Sequence, residues 1–166
     1  MKPSFRPYQT EDDFWRMRAF LREVLVRNHL FQHSWHVARL EYARWHSCLN
    51  CAHVGLEEVA WLWERAGQLV AFAMPDGGLG EAHFCVDPDL RTPELEEEML
   101  TVAEEHLAAP QPTGARRLCV WAMADDAPRR ELLVRRGYAK ESWAESQWRR
   151  RLDAPLMPAP LAPGYT

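Results

Sequence analysis

The chain has 166 residues, of which 47% are hydrophobic and 27% charged, a composition typical of a folded globular domain. Its net charge of −4 and pI near 6.0 do not favour a nucleic-acid-binding surface. No apolar stretch reaches the length of a membrane span, and no signal-peptide core follows the first residues. We therefore expect a cytoplasmic protein with four reduced cysteines and neither nucleic-acid nor membrane partners.

The first half of the chain predicts two helices set between short strands. Thr10 and Asp13 form a partial capping box, and apolar residues recur behind it at helical spacing to about Asn28. A second helix is predicted from Ser34 to about Cys48, with aromatic residues along one face. The predicted strands of this half are, in chain order, Phe5–Tyr8, Glu57–Glu64 and Leu69–Met74.

The second half alternates strands and helices and then changes composition. The predicted order is strand His83–Asp87, helix Pro93–Ala108, strand Arg117–Ala122, helix Asp126–Arg135, and two final strands, Tyr138–Trp143 and Ser146–Leu152. Residues 154–163 contain four prolines in ten positions, which indicates an extended linker. We therefore divide the chain into a domain over residues 1–153 and a proline-rich tail or linker over residues 154–166.

The segment from Ala82 to Leu107 predicts a strand, a short turn and a helix, which together form a strand-to-helix elbow. The backbone N–H groups at such a helix N-terminus can bind a phosphate. The same residues also form a helix start that needs no ligand. Thr92 is a good N-cap, Pro93 suits the first helical position, and the glutamates that follow complement the helix dipole.

This elbow resembles the acetyl-CoA-binding motif of GNAT N-acetyltransferases, a strand ending V-x-P-x-x followed by R-G-x-G-x-G or a close variant. Val86, Pro88 and Arg91 match that motif, whereas Thr92, Glu94 and Glu96 stand where the family has glycine. Side chains there obstruct a pyrophosphate, and carboxylates repel it. The resemblance assigns cofactor binding, in degenerate form, to Val86, Asp87, Pro88, Arg91, Thr92, Glu94, Leu95 and Glu96.

A second resemblance to the family lies between Leu118 and Tyr138, where GNAT proteins commonly show N-x-x-A-x-x-L-Y-x-x-x-G-F. Asp126 holds the position of the Asn, Arg129 that of the Ala, and Leu133 that of the Tyr. The family's phenol can protonate a departing thiolate, whereas a leucine side chain has no proton to donate. Asp126 is therefore a weak catalytic candidate in the place of the Asn.

The general base is not decided by the sequence. His83 is a candidate on the strand that leads into the elbow, although a single strand histidine is more often a hydrogen-bonded core residue. The neighbouring strands also offer Glu57, Glu58 and Glu64.

Two further patterns have both a functional and a structural interpretation. His46, Cys48, Cys51 and His53 are soft metal ligands, but one compact run rarely wraps a zinc ion alone, so we predict no metal site. Trp61 and Trp63 share one strand face, where they form either core or a stacking platform. We favour core, because tryptophan is usually mostly buried.

The resemblance covers residues 5 to 152 and implies an α/β GNAT fold, a twisted, mixed and mostly antiparallel sheet with helices on both faces. The leading hypothesis is a GNAT-like domain with a degenerate acetyl-CoA site, equivalent to the N-terminal half of a tandem protein. Its partner would be a second GNAT domain or a second copy of the chain. One alternative is an active acetyltransferase that binds acetyl-CoA through the backbone of residues 86–89 and Arg91 and acts on a small amine. Another is a protein-interaction module that uses the Trp-rich second helix.

Overall fold

The computed structural model describes residues 2–27, 34–145 and Asp153. The strands are β1 (Ser4–Pro7), β2 (Trp61–Arg65), β3 (Gln68–Met74), β4 (Glu81–Val86), β5 (Ala109–Pro110), β6 (Arg116–Arg117) and β7 (Cys119–Val120). The helices are α1 (Glu11–Arg27), α2 (Val37–Tyr42), a π-helical segment (Ala43–Ala52), α3 (Leu56–Val59), α4 (Pro93–His106) and α5 (Ala127–Arg135). Among these residues, no helix combines the length and the apolar character that crossing a membrane requires.

The main sheet has five strands in the order β1-β2-β3-β4-β7, and every pair except the last is antiparallel. β4 and β7 are parallel and pair only through Glu81 with Cys119 and Ala82 with Val120. The last hydrogen bond between these two segments runs from Trp121 N to the carbonyl oxygen of Ala82, at 3.1 Å. Within the described residues, the second half of β4 therefore has no strand neighbour on that side.

Helices cover both faces of this sheet. On one face the ring of Phe20 from α1 meets Phe72 of β3, with centroids 5.9 Å apart. On the other face His106 of α4 stacks on Trp61 of β2 at 4.0 Å. The predicted α/β class, with a mixed, mostly antiparallel sheet between two helical layers, is confirmed.

The predicted strand Glu57–Glu64 is wrong in its first half. Leu56–Val59 forms one helical turn, and the strand begins only at Trp61. The turn is held at its start by Glu58, whose carboxylate accepts a hydrogen bond from the backbone N–H of Gly55 at 2.9 Å. A glutamate three residues after the N-cap is a helix-start signal that outweighs the apparent alternation.

The second helix differs from its prediction in both its start and its type. It starts at Val37 because His36 is the N-cap, with Nδ1 accepting a hydrogen bond from Ala38 N at 3.1 Å. After Tyr42 the helix widens into the π-helical segment, which ends at Ala52 where His53 adopts a left-handed conformation. The boundary at Cys48 was therefore wrong.

The predicted strands of the last third of the chain are the least accurate part. Arg117–Ala122 is divided, because β6 pairs with β5 in a small separate sheet and only β7 joins the main sheet. Tyr138–Trp143 forms no strand, since Tyr138 N closes the end of α5 on the carbonyl of Leu133, after Gly137 with φ +84°. The predicted strand Ser146–Leu152 and the tail 154–166 lie outside the described residues.

Trp61 and Trp63 belong to the core side of β2. Trp63 is completely buried, and Trp61 is covered by His106 and by Phe5 of β1, whose ring centroid lies 6.0 Å away. The interpretation of these tryptophans as core is confirmed, and neither offers a free stacking surface.

Candidate functional site

The elbow forms a turn between the end of β4 and the start of α4. Asp87, directly after the strand, accepts a hydrogen bond from the backbone N–H of Asp89 at 3.0 Å and one from Arg27 at 2.5 Å. The main chain turns back as Leu90 N bonds the Asp87 carbonyl. The predicted strand-to-helix geometry is thus present, and its first carboxylate is already bound to α1.

The first turn of α4 satisfies its own backbone donors. Thr92 Oγ1 accepts from Leu95 N at 3.2 Å, and the Thr92 carbonyl accepts from Glu96 N at 3.1 Å. Pro93 has no N–H. The Glu94 carboxylate accepts hydrogen bonds from its own backbone N–H and from the Thr92 side chain, and these bonds lower its pKa. The predicted Thr92 cap is confirmed, and the donors of this turn that would face a phosphate are occupied.

Beside this turn four charged side chains form a closed ring, here called the ion ring. Arg91 Nε lies 2.7 Å from Glu96 Oε1, and Arg91 Nη2 lies 2.9 Å from both Asp126 oxygens. Arg129 closes the ring with Nη2 2.6 Å from Glu96 Oε1 and Nε 2.9 Å from Glu96 Oε2. Two guanidinium groups face two carboxylates, so the ring is electrically neutral.

Three of the four members of the ion ring are buried, and Arg91 is partly exposed. Asp126 is 1% exposed and Arg129 is 4% exposed. Burial raises the pKa of Asp126, but the hydrogen bond from Arg91 and the charges of Arg91 and Arg129 outweigh burial and lower it. Burial lowers the pKa of Arg129, while Glu96 raises it above its ordinary value. The charged forms of Asp126 and Arg129 are therefore both favoured.

The ion ring also occupies the open side of β4. Arg129 Nη1 donates to the backbone carbonyl of Phe84 at 3.3 Å, and its guanidinium carbon lies 5.3 Å from the centroid of the Phe84 ring. Because β7 no longer pairs with β4 at this level, a side chain binds the backbone carbonyl that a neighbouring strand would otherwise bind.

His83 lies on the opposite face of the sheet. Its ring stands between Trp35 at 4.8 Å and Trp121 at 5.1 Å, and its Nδ1 accepts a hydrogen bond from Trp35 Nε1 at 3.2 Å. Burial, with the charges of Arg39 and Arg129, holds the His83 pKa well below its ordinary value. The proton of the neutral ring is therefore on Nε2, which has no hydrogen-bond partner in the described structure.

Comparison with known proteins gave matches for the structure but not for the sequence. A scan of protein-family models and a search of curated proteins found no match. Among solved structures, the ribosomal-protein-S18-alanine N-acetyltransferase of Escherichia coli superposes with TM-score 0.55 at 17% identity, over 84% of this chain and 79% of that one. A predicted acetyltransferase from Clostridium acetobutylicum, solved with acetyl-CoA, gives TM-score 0.57 at 14% identity, over 87% and 96% of the two chains. This chain has the GNAT acetyltransferase fold.

Three of the residues that depart from the motifs in the sequence resemblance lie together in the structure. Glu96 stands at a glycine position, Asp126 at the Asn position and Arg129 at the Ala position, and all three join Arg91 in the ion ring. Leu133, at the Tyr position, is a partly buried apolar side chain packed against the core. Glu96, Asp126 and Arg129 thus share one set of ionic contacts with Arg91.

The two catalytic candidates do not meet. His83 lies on the face of α1 and α2, whereas Asp126 is the N-cap of α5 and joins the ion ring on the other face. Glu64 is bound by Arg6 at 2.8 Å and by Arg16 at 2.6 Å. Glu58 caps α3, and Glu57 is exposed beside it. The described residues therefore offer no paired acid and base at the elbow.

Open space beside the elbow is mostly apolar. A cavity of about 320 Å³ lies between α4 and the sheet edge, with Val70, Leu90 and Leu95 among its lining residues and Thr92 and Glu94 at the elbow side. The charged residues Lys2, Arg65 and Glu98 also line it. Within the described residues no group of three or more potential metal ligands is found, and Cys51 Sγ has only His46 Nε2 near it, at 3.6 Å.

Sequence reasoning missed the ion ring as a unit. The spacing of Asp126 and Arg129, one turn apart on a helix, was the available signal for a local pair. Nothing in the sequence joined that pair to Arg91 and Glu96, which lie about thirty residues earlier, because only the packing of α5 on α4 brings them together.

Proposed function

We propose that this chain is a GNAT-fold domain with a degenerate acetyl-CoA site, and that it acts as a non-catalytic or supporting domain. The observation that carries the proposal is the state of Glu96. Its carboxylate stands where the family has glycine, is bound by both arginines of the ion ring, and is 4% exposed. A pyrophosphate at this position would have to displace Glu96 from three charge-assisted hydrogen bonds.

Three further features support the same conclusion. Arg91 is the one charged residue of the motif that is retained. Its Nε and Nη2 groups donate hydrogen bonds to Glu96 and Asp126. The first turn of α4 has no vacant donor facing the elbow, and Leu133 cannot supply a proton to a leaving thiolate. The residues present therefore do not fit the phosphate groups of acetyl-CoA, and we derive no acetyl transfer through them.

Calorimetric titration with acetyl-CoA tests the proposal. We expect no measurable heat of binding, with any Kd above about 100 μM, and no thermal stabilisation at micromolar ligand. Binding at low micromolar Kd with clear stabilisation would overturn the proposal. It would favour the alternative, an active enzyme that acetylates a small amine.

A triple variant shows whether the ion ring is what closes the site. Glu94→Gly with Glu96→Gly and Arg129→Ala restores the family's residue type at three of the departing positions, and it leaves Arg91 paired with Asp126. We expect acetyl-CoA affinity to rise at least tenfold. Glu97→Gly, a neighbouring position on α4, is the matched control and is expected to leave affinity unchanged. No gain in the triple variant would mean that the cleft is closed for another reason.

The supporting role calls for a partner, and an exposed aromatic surface favours an interaction function. Trp15 of α1 and Tyr42, Trp45 and Leu49 around the π-helical segment are each about half exposed. Single exposed aromatics are ordinary, but a group on adjacent helices is typical of contact surfaces. We propose a second GNAT domain or a second copy of this chain as the partner. Sedimentation velocity of the chain and of a Trp15→Ser/Trp45→Ser variant tests self-association, and a concentration-independent monomer in both would exclude the second copy.

A further inference from the structure

Helix α5 is attached to the domain by two leucines and by a set of charged groups. Within α5 only Arg129 and Leu132 are buried. Its remaining contacts with α4 include ion pairs of Arg135 with Glu97 and of Arg136 with Glu97 and Glu104. The apolar contacts of α5 thus come from Leu132 and the partly buried Leu133, and the charged contacts specify where the helix docks.

The ion ring has two members on each side of the contact between α5 and the rest of the domain. Arg91 and Glu96 belong to the elbow and α4, with 2.7 Å between Nε and Oε1. Asp126 and Arg129 belong to the start of α5, with 3.8 Å between Oδ2 and Nε. Each half is a neutral pair. Separation of the helix therefore leaves no charge without a partner, and water can rehydrate all four groups.

The backbone at both ends of α5 allows such a movement. Residues 121–126 form no regular strand or helix, and Ala124 and Asp125 are exposed. At the other end Gly137 has φ +84°, a conformation that glycine adopts without strain. Changes in backbone angles at these two places would release the helix without bending it.

We propose that the ion ring is a latch and that α5 is a strap, which undocks as a unit while the sheet stays folded. Undocking withdraws Arg129 from the Phe84 carbonyl and uncovers the second half of β4, so the latch controls access to the cleft between β4 and β7. The inference rests on the proposed function only in that this cleft is where a GNAT cofactor is expected. Its test measures helix opening and not ligand binding, so either proposal can fail alone.

Native-state hydrogen exchange at low denaturant concentrations tests the strap. We expect the amides of residues 131–135 in α5 to show protection at least tenfold lower than those of residues 71–73 in β3. We also expect their exchange to depend only weakly on denaturant, as for a local opening. Equal protection and an equal denaturant slope in the two segments would mean that α5 opens only when the whole domain unfolds, and would overturn the proposal.

Two variants test whether the ion ring is the latch. Glu96→Gln leaves two arginines facing one carboxylate, and we expect α5 protection to fall at least a further tenfold, with a smaller change in β3. Glu96→Leu/Arg129→Leu replaces one pair by apolar groups, and we expect α5 protection to rise toward that of β3. Glu105→Gln, at an exposed position of α4 whose ion pair is with His106 of that same helix, is the control with little expected change. If Glu96→Gln moves α5 no more than the control does, the ring is not the latch. If a variant does not fold, the wild-type comparison alone decides the strap.

Discussion

Glu96 of α4 accepts two hydrogen bonds from the guanidinium of Arg129 on α5, with 2.6 Å between Oε1 and Nη2 and 2.9 Å between Oε2 and Nε. Both side chains are almost completely buried. Such a pair contributes little net stability compared with apolar residues of the same volume, yet losing one partner leaves a buried charge uncompensated. The pair is therefore a strong constraint on which substitutions the elbow tolerates.

The first prediction concerns Arg129 itself. We expect Arg129→Met to lower the free energy of unfolding by about 3–5 kcal/mol, because Glu96 and Asp126 then share the single charge of Arg91. Urea denaturation measures the change. Arg135→Met is the matched control, since that arginine is exposed and pairs with Glu97 at the surface. Its loss is expected to cost less than about 0.5 kcal/mol. Equal decreases in the free energy of unfolding in both variants would show that burial of the ion pair does not determine the cost of breaking it.

The second prediction concerns the cap of α4. Thr92→Ala removes the acceptor for Leu95 N and is expected to cost about 1 kcal/mol. Thr92→Ser keeps the hydroxyl and is expected to stay within a few tenths of a kcal/mol of the wild type. Denaturant melts of the three proteins decide the matter. An unchanged Thr92→Ala protein would contradict the account of this turn as self-capped.

The fold was predictable because its signals are local and repeated. The helix starts after Thr10 and Thr92 and the helix end before Gly137 each follow from capping chemistry within a few residues. The mixed sheet and two helical layers followed from the order of those elements. The errors lie where local signals compete, as at Leu56–Val59, or where a tertiary contact intervenes, as at Tyr138, whose hydroxyl bonds Glu104.

The candidate site was predictable only residue by residue. The sequence identified Glu96, Asp126 and Arg129 as departures from a family motif, and it suggested that the carboxylates would repel a phosphate. It did not indicate that Arg91 and Arg129 neutralise them, because that depends on the packing of two helices. In the structure, these carboxylates are therefore paired with arginines and are not free negative charges.

The third prediction is an acid-dependent loss of stability at Asp13. Both terminal nitrogens of Arg6 bond this carboxylate, at 2.8 Å and 2.6 Å, and Gln9 N adds a third bond at 2.9 Å. The Arg6 hydrogen bonds hold the Asp13 pKa far below its usual range, against the opposing effect of burial. Because the folded pKa is lower than the unfolded value near 3.9, the stabilisation is complete well above pH 4. It is lost progressively as the pH falls below that value.

Urea melts at a series of pH values measure this dependence. We expect Asp13→Asn to be less stable than the wild type at pH 7 and to lose less stability between about pH 5 and pH 2. Asp12→Asn, at an exposed position of the same helix, is the control and should keep the wild-type slope. Parallel curves for Asp13→Asn and the wild type would contradict the assignment.

The last prediction concerns His83 and its protonation state. Burial between Trp35 and Trp121 lowers the pKa of this imidazole, and the Trp35 N–H occupies Nδ1, the nitrogen that a second proton would need. We expect nitrogen-detected NMR to show a neutral ring with its proton on Nε2 from pH 7 to pH 5. In urea the same histidine should titrate near pH 6.5. Since only the unfolded state takes up this proton, stability falls as the pH drops below about 6.5, by at most about 1.4 kcal/mol per pH unit. His83→Gln, which can still accept from Trp35, should flatten that part of the pH curve. A folded-state titration near pH 6.5 would show instead that His83 is open to solvent and able to act as a base.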